Sequence, residues 1–139
     1  MIDSFKGEYA FLSNFCNAHV IYEGILYFNS ESAFQSAKTL DKNIRSEFIG
    51  LDAYVAKKKG KTIRLRPDWQ SVRDSIMYDV VLSKFTLNPD LKDKLMSTGY
   101  EELVEGNTWR DTYWGVCNGK GQNKLGKILM QVRAELRNA

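Results

Sequence analysis

The longest amphipathic pattern in the chain runs from Trp69 to Leu87. Apolar or small residues recur there at steps of three and four, which is the spacing of one buried helix face: Trp69, Val72, Ile76, Val80, Ser83 and Leu87. Asp68 is a favourable N-cap residue, and Asn88-Pro89 ends the pattern, because proline cannot continue a helix but suits the first position of the next one. The rest of the chain is therefore expected to pack around one long, partly buried helix.

Shorter helices and a small β element account for the remaining sequence. The first 28 residues are aromatic and β-leaning, and Gly24 predicts a hairpin turn within them. The other predicted elements are a helix from Glu31 to about Leu40, short helices around 43–50 and 52–59 (the second with a left-handed Gly60 at its end), a helix from Pro89 to near Gly99, a short strand from Tyr100 to Glu105 within a β region around 100–117, and a final helix after Asn123.

The order of these elements predicts the fold class. Helices dominate and strands are segregated from them, which favours an α+β fold rather than an alternating α/β one. The 139 residues and 43% hydrophobic content suit one core. We expect a single compact, predominantly helical domain over residues 1–139, with a small N-terminal antiparallel β element.

The scarcity of histidine and cysteine excludes several kinds of site. His19, Cys16 and Cys117 cannot form a zinc site of ordinary composition, and no nucleophile motif accompanies His19. We therefore expect no metal and no cofactor, and acid–base chemistry that rests on carboxylates, lysine or tyrosine. No run of 18 apolar residues and no signal peptide are present, so a cytoplasmic location without membrane contact is predicted.

The basic residues are unevenly distributed, although the net charge is only +3. Six of them form what we call the basic cluster: Lys57, Lys58, Lys59, Lys61, Arg64 and Arg66. Such a cluster is either a solvated surface or a patch that attracts the phosphates of a nucleotide or nucleic acid.

A polar stripe lies in the predicted helix that begins near Glu31. Glu31, Gln35 and Lys38 follow an i, i+4, i+7 spacing beside Ala33, Phe34 and Ala37. The stripe is either a solvated face or the wall of a site. A lysine held against apolar surface can have a lowered pKa, which makes its amine a nucleophile toward a carbonyl carbon.

Three further segments carry polar groups suited to a ligand. Residues 111–115 place Asp111 beside Tyr113 and Trp114, which suits a stacked heterocyclic base or an ordinary core edge. Residues 119–126 are glycine-rich and lead into a helix, which indicates a phosphate site or a plain turn. Residues 12–15 place Ser13 and Asn14 between large apolar residues.

The polar stripe and these three segments, taken in their order along the chain, resemble the NADAR family, also called YbiA-like, over nearly the whole chain. The matching residues are Leu12-Ser13-Asn14-Phe15, Ser30-Glu31, Phe34-Gln35, Lys38, Trp69, Arg73, Met77, Lys84-Phe85, Asn88-Pro89, Leu95, Asp111, Tyr113-Trp114-Gly115, Gly121, Asn123, Leu125-Gly126, Met130 and Arg133. The resemblance implies the YbiA-like fold and an N-glycosidase that cleaves a ribosyl–nitrogen bond. It also implies a substrate that is either a phosphoribosylamino-pyrimidine of riboflavin synthesis or an ADP-ribosylated guanine base.

The same resemblance implies roles for individual residues. Lys38 would form a Schiff base with the anomeric carbon, and Glu31 and Asp111 would belong to the same pocket as catalytic carboxylates. The residues implied in substrate binding are Ser13, Asn14, Phe15, Gln35, Trp69, Arg73, Lys84, Tyr113, Trp114, Gly115 and Asn123.

Three alternatives to this mechanism follow from the same residues. A carboxylate could activate water against an oxocarbenium-like sugar without an imine. The domain could instead be a non-catalytic module that binds ADP-ribose or a nucleotide. The basic cluster could also bind nucleic acid, and a modified nucleic acid could itself be the substrate. The sequence leaves the oligomeric state open.

Overall fold

The structure is a computed structural model that describes all 139 residues. Its helices and strands are β1 (Asn17–Tyr22), β2 (Ile25–Asn29), α1 (Ser30–Ser36), α2 (Lys42–Ser46), α3 (Ala53–Gly60), α4 (Trp69–Leu87), α5 (Pro89–Ser97) and α6 (Lys124–Arg137), preceded by a 3₁₀ helix over Gly7–Leu12. Close to half of the chain is helical, and the strands form one two-stranded antiparallel sheet, so the predicted α+β class is confirmed. No helix combines the length and apolar content needed to cross a membrane.

The predicted hairpin at Gly24 is present between β1 and β2. Glu23 and Gly24 both have positive φ angles, 46° and 84°, as expected for a two-residue turn whose twist matches that of the flanking strands. Tyr22 pairs with Ile25 next to the turn, and the register shifts between Asn17 and Val20. The hairpin therefore leads directly into α1, which begins at the residue after β2.

The backbone packing divides the chain into two units, of which the first comprises Asn14–Asn88. Within this unit α1 is the central element, because it packs against α3, α4 and both strands, while α4 also packs on β1. The buried apolar side chains of the unit include Val20, Tyr27, Ala33, Phe34, Phe48, Ala56, Ile76, Met77, Val80, Val81 and Phe85. All seven residues of α1 are buried, so this short helix runs through the core of its unit.

The second unit comprises Met1–Ser13 and Pro89–Ala139. Its apolar core includes Ile2, Phe5, Phe11, Leu12, Leu91, Leu95, Leu103, Leu125, Leu129 and Val132. Arg133 of α6 is buried and donates to Thr98 Oγ1 at 2.8 Å and to the Glu101 carbonyl at 2.7 Å. Arg137 donates to the Gly99 carbonyl at 2.6 Å. These arginines bind polar groups that follow the C-terminus of α5 and so tie α6 to that end of the helix.

Four predictions about the elements are wrong for physical reasons. The helix predicted around 43–50 is α2, which ends at Ser46, because the three N–H groups that follow form i→i−3 hydrogen bonds. Helix α1 ends at Ser36 rather than near Leu40, because Ala37 and Lys38 form i→i−3 hydrogen bonds and the carbonyls that follow bind arginine groups. Gly60 is the last residue of α3 and does not have a positive φ. Residues 100–117 form isolated bridges rather than a strand, since side chains there bind much of the backbone.

Candidate active site

Helix α1 is fixed at its N-terminus by three contacts. Asn29 Oδ1 accepts a hydrogen bond from the Ser32 N–H at 2.7 Å, and Asn29 Nδ2 donates to the Leu51 carbonyl at 3.0 Å. The Glu31 N–H donates to the Asn14 carbonyl at 3.1 Å. Two of these contacts satisfy N–H donors that the first turn of a helix leaves unpaired, and the third fixes the capping side chain of Asn29. The helix is therefore a well-anchored support for the side chains of Glu31 and Gln35.

The Glu31 and Gln35 side chains are buried and bound to each other. Only 8% of Glu31 and 7% of Gln35 are exposed, which rules out a solvated face for these two positions. Gln35 Nε2 donates to Glu31 Oε1 at 2.8 Å, so the amide holds the carboxylate in one orientation. Gln35 Oε1 is buried without a donor in the chain. A buried acceptor of this kind suits a hydroxyl or N–H donor on a bound molecule.

Gly60 lies against this pair from α3. A Cβ atom at position 60 would lie 1.8 Å from Gln35 Oε1, so no side chain fits while Gln35 keeps its orientation. The glycine predicted as a left-handed helix terminus is thus needed for close packing between α3 and α1. Its carbonyl also accepts a hydrogen bond from Lys38 Nζ at 3.4 Å.

Lys38 lies two residues beyond the end of α1 and is half-buried. Its Nζ lies 6.0 Å from the centroid of the Trp69 ring. Burial lowers the pKa of the Lys38 amine; the Glu31 carboxylate opposes this shift, and the Lys61 ammonium adds to it. A larger fraction of this amine is therefore neutral at a given pH than for an exposed lysine. A neutral amine is the form that attacks an electrophilic carbon.

The other predicted site residues of this unit have diverse environments. Trp69 is buried against Phe34, with ring centroids 5.2 Å apart, and Arg73 is half-buried on α4. Phe15 is 37% exposed and meets Tyr54 edge-on at 5.3 Å. The Phe15 ring is therefore more accessible than the Trp69 ring. The contacts of all three residues with a substrate stay predictions.

Asn14 and Lys84 are both buried inside the unit. Asn14 Nδ2 lies 3.5 Å from Met77 Sδ, and the Asn14 carbonyl binds α1 as described above. Lys84 is 1% exposed, and its Nζ lies 5.1 Å from the centroid of the Phe85 ring. Burial lowers the pKa of Lys84 to about 8. Its predicted role in phosphate binding stays a prediction.

In the other unit, Asp111 organises a tight turn. Its Oδ1 accepts hydrogen bonds from the N–H groups of Tyr113 at 3.1 Å and Trp114 at 2.9 Å. Asn107 binds the Asp111 backbone on both sides, accepting from its N–H at 3.1 Å and donating to its carbonyl at 2.9 Å. One carboxylate oxygen is therefore committed to the local fold, and the catalytic role of Asp111 stays a prediction.

The aromatic residues of this turn pack on each other. Tyr113 and Trp114 are half-buried and meet edge-on with ring centroids 4.9 Å apart. Lys124 Nζ lies 5.7 Å from the centroid of the Tyr113 ring. Gly115 is buried, and a Cβ there would lie 2.2 Å from the Glu105 carbonyl oxygen, so two backbone segments of this loop region approach closely.

Asn123 joins the loops of this unit. It has a positive φ of 52°, and its side chain accepts from the Glu105 N–H and donates to the Leu103 carbonyl, both at 3.0 Å. The first N–H groups of α6 also bind carbonyls: Lys124 donates to Tyr113 at 3.1 Å and Leu125 to Trp114 at 2.9 Å. These donors are used by the protein itself, which favours a plain structured turn over a phosphate site for residues 119–126.

The structure thus assembles the predicted site residues in two groups. Glu31, Gln35, Lys38 and Trp69 lie together in the unit Asn14–Asn88. Asp111, Tyr113, Trp114, Gly115 and Asn123 lie together in the other unit, which also contains Ser13, whose N–H binds the Ala10 carbonyl at 3.0 Å. We treat the first group as the candidate active site, because it contains an amine of lowered pKa that is only half-buried, together with an oriented carboxylate, whereas the Lys84 amine is fully buried.

The basic cluster is divided between several partners. Lys59 forms an ion pair with Glu47 at 2.7 Å, and Arg66 forms one with Asp68 at 2.7 Å. Lys57 Nζ lies 6.0 Å from the centroid of the Phe15 ring. The cluster is therefore not one uniform patch of solvated charge.

Sequence reasoning missed the importance of Gly60, Arg45 and Arg66 for this site. Arg45 donates to the Thr39 carbonyl and the Arg66 N–H donates to that of Lys38, so both contact the segment that carries the lysine. One available signal was the order Arg66-Pro67-Asp68, since proline followed by aspartate favours a turn.

Comparison with known proteins identifies the family. The model of the NADAR domain matches residues 3–137. The chain belongs to the NADAR family. The predicted family is thereby confirmed, and so is the predicted class of enzyme, a hydrolase that acts on N-glycosyl bonds.

Named relatives and a solved structure agree with this membership. The chain is 35% identical over 137 residues to N-glycosidase YbiA of Shigella flexneri serotype 5b, covering 96% of this chain and 85% of that protein. It is 33% identical over 133 residues to a riboflavin biosynthesis protein of Vibrio vulnificus, covering 93% of this chain and 36% of that longer protein. The NMR structure of Escherichia coli YbiA matches with a TM-score of 0.85 and 32% identity, covering 99% of this chain and 88% of that one, so the predicted YbiA-like fold is confirmed.

Proposed function

We propose that this protein hydrolyses the N-glycosidic bond between ribose and a nitrogen base in a nucleotide-like substrate, with Lys38 as the nucleophile. The observation that carries the proposal is a half-buried amine of lowered pKa in the same packed unit as a buried, oriented carboxylate. Family membership supports the reaction class, and the geometry supports the choice of Lys38 and Glu31 as its reacting groups.

The roles of the two groups follow from their chemistry. The Glu31 carboxylate first takes a proton from the Lys38 ammonium. The neutral Lys38 amine then attacks C1 of the ribose, the bond from C1 to the base nitrogen breaks, and the departing nitrogen receives that proton from Glu31. Opening of the sugar ring then breaks the bond from C1 to the ring oxygen, which takes a proton from the attached nitrogen, and leaves a protonated imine between C1 and Lys38. Water adds to the imine, the free sugar leaves, and the ammonium is restored.

Gln35 supports this cycle by orienting Glu31. Its Nε2 donates to one carboxylate oxygen at 2.8 Å, which limits rotation of the carboxylate. Its buried Oε1 is an acceptor that suits a ribose hydroxyl. Phe15 provides partly exposed ring surface in the same unit, which supports a stacking contact with the base.

Two kinds of substrate fit the proposal. The name of the Vibrio vulnificus relative favours a phosphoribosylamino-pyrimidine, while an ADP-ribosylated guanine in nucleic acid is the second candidate. Incubation of the protein with each compound, followed by chromatography of the released sugar, separates these possibilities. Release from neither compound, or retention of the intact compound as a bound ligand, would contradict hydrolysis and favour a binding module.

Borohydride trapping tests the covalent step. Reduction during turnover should attach the sugar to Lys38, where peptide mass spectrometry would find it, because only an imine leaves a reduced covalent product. Lys38→Met should abolish both trapping and turnover, while Lys42→Met, which removes an exposed lysine of α2 outside the basic cluster, should preserve both. Turnover by Lys38→Met at the parental rate would exclude the imine and favour direct attack by carboxylate-activated water.

A further inference from the structure

Three consecutive carbonyl groups around Lys38 are held by two arginines. The Ala37 carbonyl accepts from Arg66 Nη1 at 3.5 Å, and the Lys38 carbonyl accepts from the Arg66 N–H at 2.7 Å. The Thr39 carbonyl accepts from Arg45 Nε at 2.8 Å. The Ala37 and Lys38 N–H groups still form i→i−3 hydrogen bonds, but their carbonyls lie beyond the regular part of α1, so these contacts fix the carbonyl side of the backbone from which the Lys38 side chain extends.

Arg66 occupies the first position of a tight turn that leads into α4. The Trp69 N–H donates to the Arg66 carbonyl at 3.2 Å, Pro67 occupies the second position, and Asp68 has φ −96° and ψ 13°, as in a type I turn. The turn meets Lys38 at both ends, since the Arg66 N–H binds the Lys38 carbonyl and the Trp69 ring lies beside the Lys38 amine.

Asp68 binds Arg66 instead of capping α4. Arg66 Nε donates to Asp68 Oδ1 at 2.7 Å and Nη2 donates to Oδ2 at 3.1 Å, which is a two-pronged ion pair. Asp68 occupies the N-cap position but accepts no hydrogen bond there with its side chain. An aspartate at this position ordinarily stabilises the helix by capping it. Here the Asp68 carboxylate binds the Arg66 guanidinium and does not cap the helix, which indicates that holding this guanidinium in place has a role of its own.

Arg45 fixes the far side of the same segment. It is 4% exposed, and its Nη1 forms an ion pair with Glu23 Oε1 at 2.7 Å. Its guanidinium also lies 5.5 Å from the centroid of the Tyr22 ring. Carboxylates hold both Arg45 and Arg66. Residues 37–39, whose carbonyls these arginines bind, therefore have little freedom to move.

We propose that Arg66, held by Asp68, is a positioning residue for Lys38. This inference rests on the proposed function, because it assigns Arg66 the task of placing the nucleophile against the sugar carbon. The Arg66–Asp68 pair lies partly at the surface, where ion pairs add little to stability. A misplacement of a reacting group by about 1 Å can lower a rate by about a hundredfold, so the pair affects catalysis more than folding.

The test compares two variants of the pair with a matched ion pair elsewhere in the unit. Asp68→Asn and Arg66→Met should each lower kcat and the rate of borohydride trapping about tenfold, with KM changed less than about twofold. The double variant should be no slower than the single ones, because all three break one interaction. Glu47→Gln breaks the Lys59–Glu47 pair of the same 2.7 Å length and should leave both rates unchanged.

Each other outcome identifies what is wrong. Two results would overturn the positioning role but not the proposed function. One is borohydride trapping of Asp68→Asn at the parental rate; the other is a rate loss in the double variant equal to the product of the two single losses. A higher KM with parental kcat would make Arg66 a substrate-binding residue instead and overturn the inference in the same way. Absence of trapping in the parent protein would overturn the proposed function and this inference with it. Thermal unfolding of each variant distinguishes slower chemistry from a smaller folded fraction.

Discussion

The buried ammonium of Lys84 makes a quantitative prediction about stability and pH. Burial lowers the pKa of Lys84 from its ordinary value of 10.5 to about 8 in the folded chain. Between these two values the unfolded chain binds more protons than the folded chain, so the free energy of unfolding rises with pH in this range. At neutral pH the folded protein must hold a charged group away from water, and it is relieved of that cost as the amine loses its proton.

The size of the effect follows from the two pKa values. A difference of 2.5 between 10.5 and about 8 corresponds to about 3 kcal/mol between the fully charged and fully neutral limits. Integration from about pH 7 to about pH 9.5 gives an increase of about 2 kcal/mol from Lys84 alone. Lys38, whose pKa is also lowered, acts in the same direction.

Urea unfolding of the parent and of Lys84→Met at these two pH values isolates the contribution of Lys84, because all other groups are common to both proteins. The free energy of unfolding of the parent should rise by about 2 kcal/mol more than that of the variant. Lys42→Met, which removes an exposed lysine, controls for the loss of one positive charge. Identical pH dependence in the parent and in Lys84→Met would refute the reasoning.

Three further predictions concern the candidate site. Lys61→Gln should raise the pKa of Lys38 and move the acid limb of the kcat/KM profile to higher pH; an unchanged limb would contradict the coupling. Gly60→Ala should displace the Gln35 amide from Glu31 and so lower kcat, and a parental kcat would contradict the close packing of Gly60 against Gln35. Asp111→Asn keeps the oxygen that accepts the hydrogen bonds of the turn but removes the negative charge. If Asp111 is a catalytic carboxylate, this variant should lose turnover at parental stability; parental turnover would exclude that role.

The sequence predicted best those elements whose signals are local. Helix α4 lies where the three-and-four spacing predicts it, and its end at Leu87 follows from the Asn88-Pro89 pair. Of the predicted buried stripe, Ile76 and Val80 are buried, but Leu87 is 42% exposed. The hairpin turn likewise followed from Gly24. Periodicity and turn chemistry reflect contacts within a few residues, so they can be interpreted without the rest of the fold.

The end of α1 depends on distant residues and could not be predicted in this way. The carbonyls beyond Ser36 bind arginines that lie six and about 30 positions further along the chain. The polar stripe of Glu31, Gln35 and Lys38 was still informative, because these three side chains do lie in one unit. Its helical explanation was incomplete, since Lys38 belongs to the turn after the helix.

The residues that surround α1 determine whether this helix can be transplanted into another protein. Asn14 and Leu51 bind the start of the helix, and Arg45 and Arg66 bind the segment after it. A graft of residues 30–38 onto a foreign scaffold would transfer the reactive side chains without the groups that hold them. Exchange between relatives should therefore move residues 14–88 as one block, since that segment carries every one of these anchors.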